Sequence, residues 1–567
     1  MKHFLLTILL CASALTTCAL TTRAGAPSKD IYLDLMQKAV EAYSPEHIRQ
    51  YADKVSAEGV TEHGFARLTS NMGILVSKGR IPEMKDTFVE LMDICAREIP
   101  VARKKNRGKG EIGNDFAVKE LVCCLLEAEA SGLFPQEKLR SWRQAFEGMK
   151  AEDIYSVQPV PGDGTARNWC VFGAASECAR LMAGIGGSRE YADRYLGDQL
   201  RFFDENGMYR DPGSPMVYDM VTRLQYMAAL DFGYDGPVRE DIEAQLMRSA
   251  PYTLMMQSVT GEIPYGGRSN QFLHNEAFLA AVCEWYATRM KDTGDLKAAG
   301  QFKAAAHRAA ASLEYWIAQD GLRHIKNRFP VDSGYGCERY AYFDKYMVTM
   351  ASWAYLAYRF ADDSIVPDRR RPGASTFVTG PDFHRILMNA GGYTVQFDIN
   401  PETKYDAAGI GRIQKAGASP VAALASPCPA APKPSYKLDI VNPEGGLAIA
   451  PLWDRYEIVQ ARKGRVTLTD GKSIWHCRLT HRGLSMVLSG DGPLVLTLPA
   501  LVFDGETHSA VNCNGKSLEI RFKGNECQYT TDGTIVDTGL EYGSRNGHLH
   551  RYEARGTDKL KVRVQIR

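Results

Sequence analysis

His274 opens the run His274-Asn275-Glu276 a few residues after the turn Gly266-Gly267-Arg268. An imidazole titrates closer to neutral pH than any other side chain, so His274 is the first candidate for a general base or acid. Its alternative role is a first-turn histidine that is hydrogen-bonded for packing. A second dense segment runs from Gly334 to Tyr346 and holds Tyr335, Tyr340, Tyr342 and Tyr346 around Glu338 and Arg339. A guanidinium beside a phenol stabilises the phenolate and eases proton exchange. Tyr340 and Tyr342 are therefore candidates for proton transfer, and Tyr335 for stacking on a sugar, with structural filling as the competing role of each. Arg167-Asn168-Trp169 sets a guanidinium, an amide and an aromatic plane side by side. Arg grips a carboxylate through two parallel hydrogen bonds, and Asn donates to it without adding charge. Helix capping by Asn168 and core packing by Trp169 compete with that reading. Tyr218, Tyr265, Arg268, Asn270, Glu338 and Arg412 complete the expected binding set. The loop Tyr405–Arg412 is rich in Gly but lacks the strand, third Gly and helix of a dinucleotide site, which excludes a nucleotide cofactor. No cofactor is expected, and no CxxC pair or HExxH helix argues for a metal.

These groups need elements to hold them. Asn114, Asn168, Val217, Phe272 and Tyr342 mark nearly uncharged helices that recur at steps of 54, 49, 55 and 70 residues. Each step fits a helical hairpin. Between them Pro82–Arg97, Gln136–Phe146, Arg189–Phe203, Val238–Arg248 and Leu296–Trp316 carry charges at helical spacing on one face. Pro45–Ala57 and Gly64–Val76 add an upstream pair. Helices apolar on most sides must be buried among partners, so their polar starts mark the functional end. The expected architecture is an (α/α)6-type toroid over 27–363.

After Asp363 the helical period stops. Pro367–Pro372 reads as a linker. Gly392–Ile399, Leu447–Ala450, Tyr456–Ala461, Leu484–Leu488, Leu494–Leu498, Ser517–Phe522 and Leu560–Ile566 read as strands separated by Gly, Asn and Asp. Region 364–567 is therefore expected to be a linker and an antiparallel β-sandwich-like domain, with Ala416–Pro434 as a surface loop.

The 567 residues exceed one compact core, in keeping with two domains. Lys and Arg number 68 against 67 Asp and Glu, so there is no basic field for nucleic acid or an anionic membrane. Residues 1–26 read as an export signal, which implies a periplasmic or secreted protein with no membrane span. A lipid anchor at Cys18 ranks second, because Thr17 replaces the usual small residue. Thirteen cysteines include Cys11 and Cys18 in that signal. The remaining odd number cannot all pair; Cys513 and Cys527 are as readily a disulfide as two thiols.

The helix opened by RNWCVFGAASE, the SNQFLHNEAF start, the GYGCERYAYFDKYM segment and the β tail resemble secreted bacterial toroid enzymes that dismantle acidic plant glycans. The family they resemble is the rhamnose-glucuronate lyases, with exo-acting glucuronidases of similar architecture as the alternative. The resemblance implies β-elimination at a 4-linked glucuronic acid, with terminal rhamnose as a released group. In that scheme Asn168 and Arg339 polarise the carboxylate, His274 removes the C5 proton, and Tyr340 or Tyr342 protonates the leaving oxygen. The order of these residues departs from toroid lyases, where Tyr follows His on one segment. A hydrolase would instead use two of Glu262, Glu276, Glu338 and Asp344. A non-catalytic glycan-binding protein would use the same aromatic and Arg groups without His274.

Overall fold

The computed structural model describes residues 28–105, 113–155, 160–213, 216–319, 321–338, 340–368, 370, 372–402, 405–424 and 445–567. The expected export signal, Arg339 and Ala425–Pro434 lie outside the described residues. The helices are α1 (Asp30–Glu41), α2 (Pro45–Glu58), α3 (Gly64–Ser77), α4 (Lys85–Glu98), α5 (Ala102–Lys105), α6 (Asn114–Ser131), α7 (Gln136–Glu147) and α8 (Ala151–Ile154). They continue with α9 (Asn168–Ala183), α10 (Arg189–Gln199), α11 (Met216–Asp231), α12 (Arg239–Met256), α13 (His274–Asp292), α14 (Leu296–Ile317) and α15 (Phe343–Phe360).

Two kinds of helix alternate. In α7 only Leu139, Trp142 and Phe146 are buried, a single stripe at helical spacing. In α3 every residue from Gly64 to Val76 is buried. Helices of the second kind need neighbours on all sides, and they have them. Helix α3 packs on α6, α6 on α9, α9 on α11, α11 on α13, α13 on α15, and α15 back on α3. The striped helices α4, α7, α10, α12 and α14 lie against this inner set, with α1 against α15. Ser44, Ser188 and Asp295 cap α2, α10 and α14 by accepting from backbone N–H groups of the first turn. Buried charges on the inner helices form ion pairs: Arg67 with Glu120 at 3.0 Å, Arg223 with Asp219 at 2.7 Å, and Lys303 of α14 with Glu284 at 2.9 Å. An unpaired charge at such depth would be strongly destabilising.

The second region is antiparallel throughout. Strands β1 (Ser375–Val378), β2 (Arg385–Ala390), β3 (Tyr393–Asp398) and β4 (Gly409–Lys415) form one sheet in chain order. The larger sheet uses β5 (Glu457–Arg462), β6 (Arg465–Thr469), β7 (Ile474–Thr480), β8 (Gly483–Phe503), β9 (Ala510–Cys513), β10 (Ser517–Phe522), β11 (Asn525–Thr531), β12 (Thr534–Ser544) and β13 (Gly547–Ile566). Its order is β5-β6-β7-β8-β13-β11-β10-β9, with β12 also on β13. The sheets meet where β2 and β3 touch β7, and Phe397 packs edge-on against Trp475.

Several expectations change. The two strands expected at Leu484–Leu488 and Leu494–Leu498 are one long strand, β8, because β13 pairs along both halves. Leu447–Ala450 makes only isolated bridges. Cys513 and Cys527 are free thiols: they pair with Leu518 and Ile520 on opposite edges of β10, so a whole strand separates them. Arg412, expected in a Gly-rich loop, lies in β4.

The small sheet docks on the segment before α13. Arg412 donates to the Ile263 carbonyl, and Tyr265 N–H donates to Gln396 at 3.0 Å. Gln414 of β4 donates to Glu262, which with Glu276 holds Lys326; both Lys326 distances are 2.7 Å. Burial pushes both carboxyls up, and Lys326, helped by Arg412, offsets this and holds Glu262 below its usual range. Replacing Lys326 with Met would leave two carboxylates buried against each other. We expect Lys326→Met to lower stability by about 3–5 kcal/mol, read as a fall in the chemical denaturation midpoint, and an unchanged midpoint would contradict this role.

Candidate functional site

A cavity of about 530 Å³ lies at the N-terminal ends of the inner helices. His63 and Arg67 reach it from α3, Phe116 from α6, Trp169 and Phe172 from α9, and Tyr218 from α11. Ser269 and His274 come from the start of α13, and Lys345, Tyr346 and Trp353 from α15. Tyr405, ahead of β4, contributes from the β region. The site thus needs all six inner helices.

The loop before α13 has an unusual backbone. Ser269 and Gln271 sit at φ of 57° and 66°, a region that side-chain-bearing residues rarely adopt. For this reason α13 begins at His274 and not at Asn270. The left-handed turn aims the Ser269 hydroxyl between two phenols, 3.0 Å from Tyr218 and 2.9 Å from Tyr340. Backbone outliers of this kind cluster where a site must hold a fixed geometry.

His274 packs against Tyr346 at 4.9 Å between ring centres and against Phe272 at 5.5 Å. Its Nδ1 is buried without a partner, which leaves Nε2 to meet the cavity. Burial, followed by the positive charge of Arg67, holds this imidazole well below its ordinary pKa. His63 behaves likewise, and Arg67 donates to its Nδ1 at 3.3 Å. That bond places the His63 proton on Nε2. The two imidazoles are therefore neutral, one with a donor role set by Arg67. Tyr340 stays protonated, because burial and then the nearby Tyr218 and Glu338 push its pKa up.

The lining is cationic. Arg67, Arg167, Arg268 and Lys345 line the cavity, and no Asp or Glu does among the described residues. Arg67 is neutralised by Glu120, and Arg268 by Asp211 while it lies 4.3 Å over the Tyr218 ring. The side chains of Arg167 and Lys345 form no ion pair among the described residues. Burial lowers the Lys345 pKa, partly offset by Glu62.

Of the residues expected from sequence, Arg167, Trp169, Tyr218, Arg268, His274 and Tyr340 line the cavity together. The others take different positions. Asn168 is buried and outside the lining; its amide donates to Asp211 at 3.0 Å and so supports the partner of Arg268. Burial raises Asp211 to about 6 against the pull of Arg268 and Asn168. Tyr342 is 44% exposed beside Lys345 and outside the lining. Tyr335 is buried in a stack on Phe329 at 3.7 Å, where no sugar can reach it. Tyr265 is buried under the Arg385 guanidinium, and Asn270 donates to the Pro264 carbonyl. Arg412 is bound to Ile263, as described above. Glu338 accepts from the Ser269 N–H at 2.8 Å and from Arg545, which makes it a support of the loop. Glu262 and Glu276 are engaged by Lys326, and Asp344 meets His47 at 3.0 Å.

Sequence reasoning missed His63, Arg67, Ser269, Lys345, Tyr346 and Tyr405. His63 precedes α3 as His274 opens α13, and that parallel was the available signal. Ser269 carried none. Among the described residues no group of three or more His, Cys, Asp or Glu is arranged to hold a metal ion, and no helix is long and apolar enough to cross a membrane.

No known family model matches the chain, and no curated protein matches it. Among solved structures it is similar to heparinase III, at 7% identity over 80% of this chain and 69% of that chain, with a TM-score of 0.44. It is also similar to a family 88 glycosyl hydrolase from Bacteroides vulgatus and to a polysaccharide lyase. Both are 12% identical over 59% of this chain, and cover 100% and 97% of those chains, each with a TM-score of 0.36. Likenesses this distant leave the activity to be argued from the chain's own residues.

The buried imidazoles also set a pH limit. His324, which donates toward the Ala341 carbonyl, is lowered by burial to about 4, and His63 and His274 are lowered too. Between about pH 4 and the unfolded value near 6.5 each of these imidazoles binds fewer protons folded than unfolded, so its contribution to stability falls as pH drops, while Asp211, raised to about 6, contributes in the opposite sense. We expect the imidazole proton resonances of His63, His274 and His324 to keep their neutral positions in the folded protein down to about pH 5; titration near the ordinary value of about 6.5 would contradict neutral burial.

Proposed function

We propose that the protein is a secreted or periplasmic polysaccharide lyase whose helices form an (α/α)6 toroid and whose cavity cleaves a 4-linked glucuronic acid by β-elimination. One observation carries the reading: the cavity is lined by four cations, two imidazoles and four phenols, with no carboxylate among the described residues. Elimination requires that the C5 proton become acidic, and cations around the C6 carboxylate achieve this by stabilising the developing enolate-like charge. Arg167 and Lys345, which form no ion pair among the described residues, suit that carboxylate, with Arg268 beside them.

His274 is already neutral and accepts the C5 proton at Nε2. The electron pair of the C5–H bond becomes the C4=C5 double bond as the C4–O bond breaks. Tyr340, held protonated, gives its hydroxyl proton to the leaving oxygen, and its phenolate is reprotonated from solvent. A hydrolase needs two carboxyl groups facing one bond. The sequence's four candidates are engaged elsewhere, in Lys326, Arg545 and His47 contacts. Terminal rhamnose is the released group that the sequence resemblance suggests.

Incubation with a rhamnose-capped glucuronan oligosaccharide should yield ultraviolet absorbance from an unsaturated uronate. Saturated glucuronate would instead indicate hydrolysis, and no product would indicate binding alone. His274→Ala should abolish turnover without loss of folding, and Tyr340→Phe should lower kcat by about 10²–10⁴-fold. Full activity in either variant removes that residue from the mechanism. Because His274 is neutral well below pH 6.5, kcat/KM of the native enzyme should show no rise between pH 6.5 and 8.

A further inference from the structure

The Ser544–Gly547 turn between β12 and β13 reaches the candidate site from the far end of the chain. Its two central residues, Arg545 and Asn546, are almost fully buried. Arg545 donates to Glu338 at 2.5 Å and to the Gly336 carbonyl at 3.0 Å, with a longer 3.4 Å bond to the Gly267 carbonyl. Asn546 donates to the Lys326 carbonyl at 2.8 Å and to the Gln271 side chain at 3.3 Å. In return, Asn327 donates to the Arg545 carbonyl at 2.9 Å.

These partners are the groups that fix the loop before α13. Glu338 accepts the Ser269 N–H, and Lys326 N–H donates to the Gln271 carbonyl at 2.9 Å. Ser269 and Gln271 are the two non-glycine residues of this loop with left-handed backbones, so the turn braces both strained positions. A second brace is separate: Asp406 accepts the Gly267 N–H and is itself held by Arg385 at 2.5 Å.

We propose that the β12–β13 turn, through Arg545 and Asn546, is a positioning element of the candidate site: it holds Glu338 and Gln271 so that the loop presents Arg268, Ser269 and His274 to the cavity. The β region is then a working part of the catalytic geometry. Arg545 acts through Glu338 and touches no substrate. The structural half of this proposal stands without the lyase reading; its kinetic half rests on it.

Hydrogen exchange of the full chain separates the two. In Arg545→Met the Ser269 amide loses its oriented acceptor, so exchange over 268–273 should quicken about tenfold or more, while Gly267, held by Asp406, and the interior of α13 keep their protection. Arg545→Lys should restore part of that protection. Since Arg545→Met leaves Glu338 without its cation, the Arg545→Met/Glu338→Gln double variant serves as the control for folding. Its amide oxygen still accepts from Ser269, so it should recover protection over 268–273. On the uronate substrate Arg545→Met should lower kcat by about 10²-fold with KM little changed, the signature of misplaced reacting groups. Unchanged exchange over 268–273, or equal loosening of α13, would overturn the proposal. Selective loosening in a protein that acts on no uronate glycan would support the brace and sink the lyase reading alone.

Discussion

A helix buried on every side can show a functional group to solvent only at its end, and the rest of this structure follows from that constraint. The inner helices α3, α6, α9, α11, α13 and α15 each spend nearly their whole length on contact with one another and with the outer layer. Side chains at or near their N-terminal ends line one cavity. Helix N-termini carry partial positive charge, which adds to Arg67, Arg167, Arg268 and Lys345 in favouring an anion there. Along the helices charge is held in pairs, as in Arg67–Glu120, Arg180–Glu177 and Arg223–Asp219.

The same division separates supporting from working carboxylates. Glu120, Asp211, Glu338 and Asp406 are not among the lining residues: the first two hold the lining guanidiniums of Arg67 and Arg268, and the last two hold backbone N–H groups of the loop that carries Arg268 and Ser269. A carboxylate in the wall itself would repel an acidic sugar. Placing the negative charges one layer back fixes the cations without cancelling the field where the sugar would sit. Burial first, and then the charge of Arg67, holds the two imidazoles neutral, which suits one of them to accept a proton.

Much of this was legible in the sequence. The apolar starts at Asn114, Asn168 and Met216 coincide with α6, α9 and α11, and the charged stripes with α7, α10 and α14, because burial on one face or all faces writes a distinct period. The six residues brought together at the cavity were legible for the same reason: polar groups at the start of an apolar helix have few places to go. What was not legible depended on contacts between distant segments. Tyr335 reads like a stacking platform until Phe329 is found against it. Asn168 reads like a carboxylate donor until Asp211, from the next loop, claims its amide. Ser269 gives no sign in the sequence of a left-handed backbone, since that conformation is imposed by Glu338 and by a turn nearly three hundred residues later.

The central claim is that this cavity selects a carboxylate by charge. Calorimetric titration of the His274→Ala protein with a glucuronan oligosaccharide and with its carboxyl-reduced, neutral counterpart tests it most directly. The account predicts that the acidic sugar binds at least about tenfold tighter, and that Arg167→Ala erases most of the difference. Equal affinity for the two sugars would contradict it.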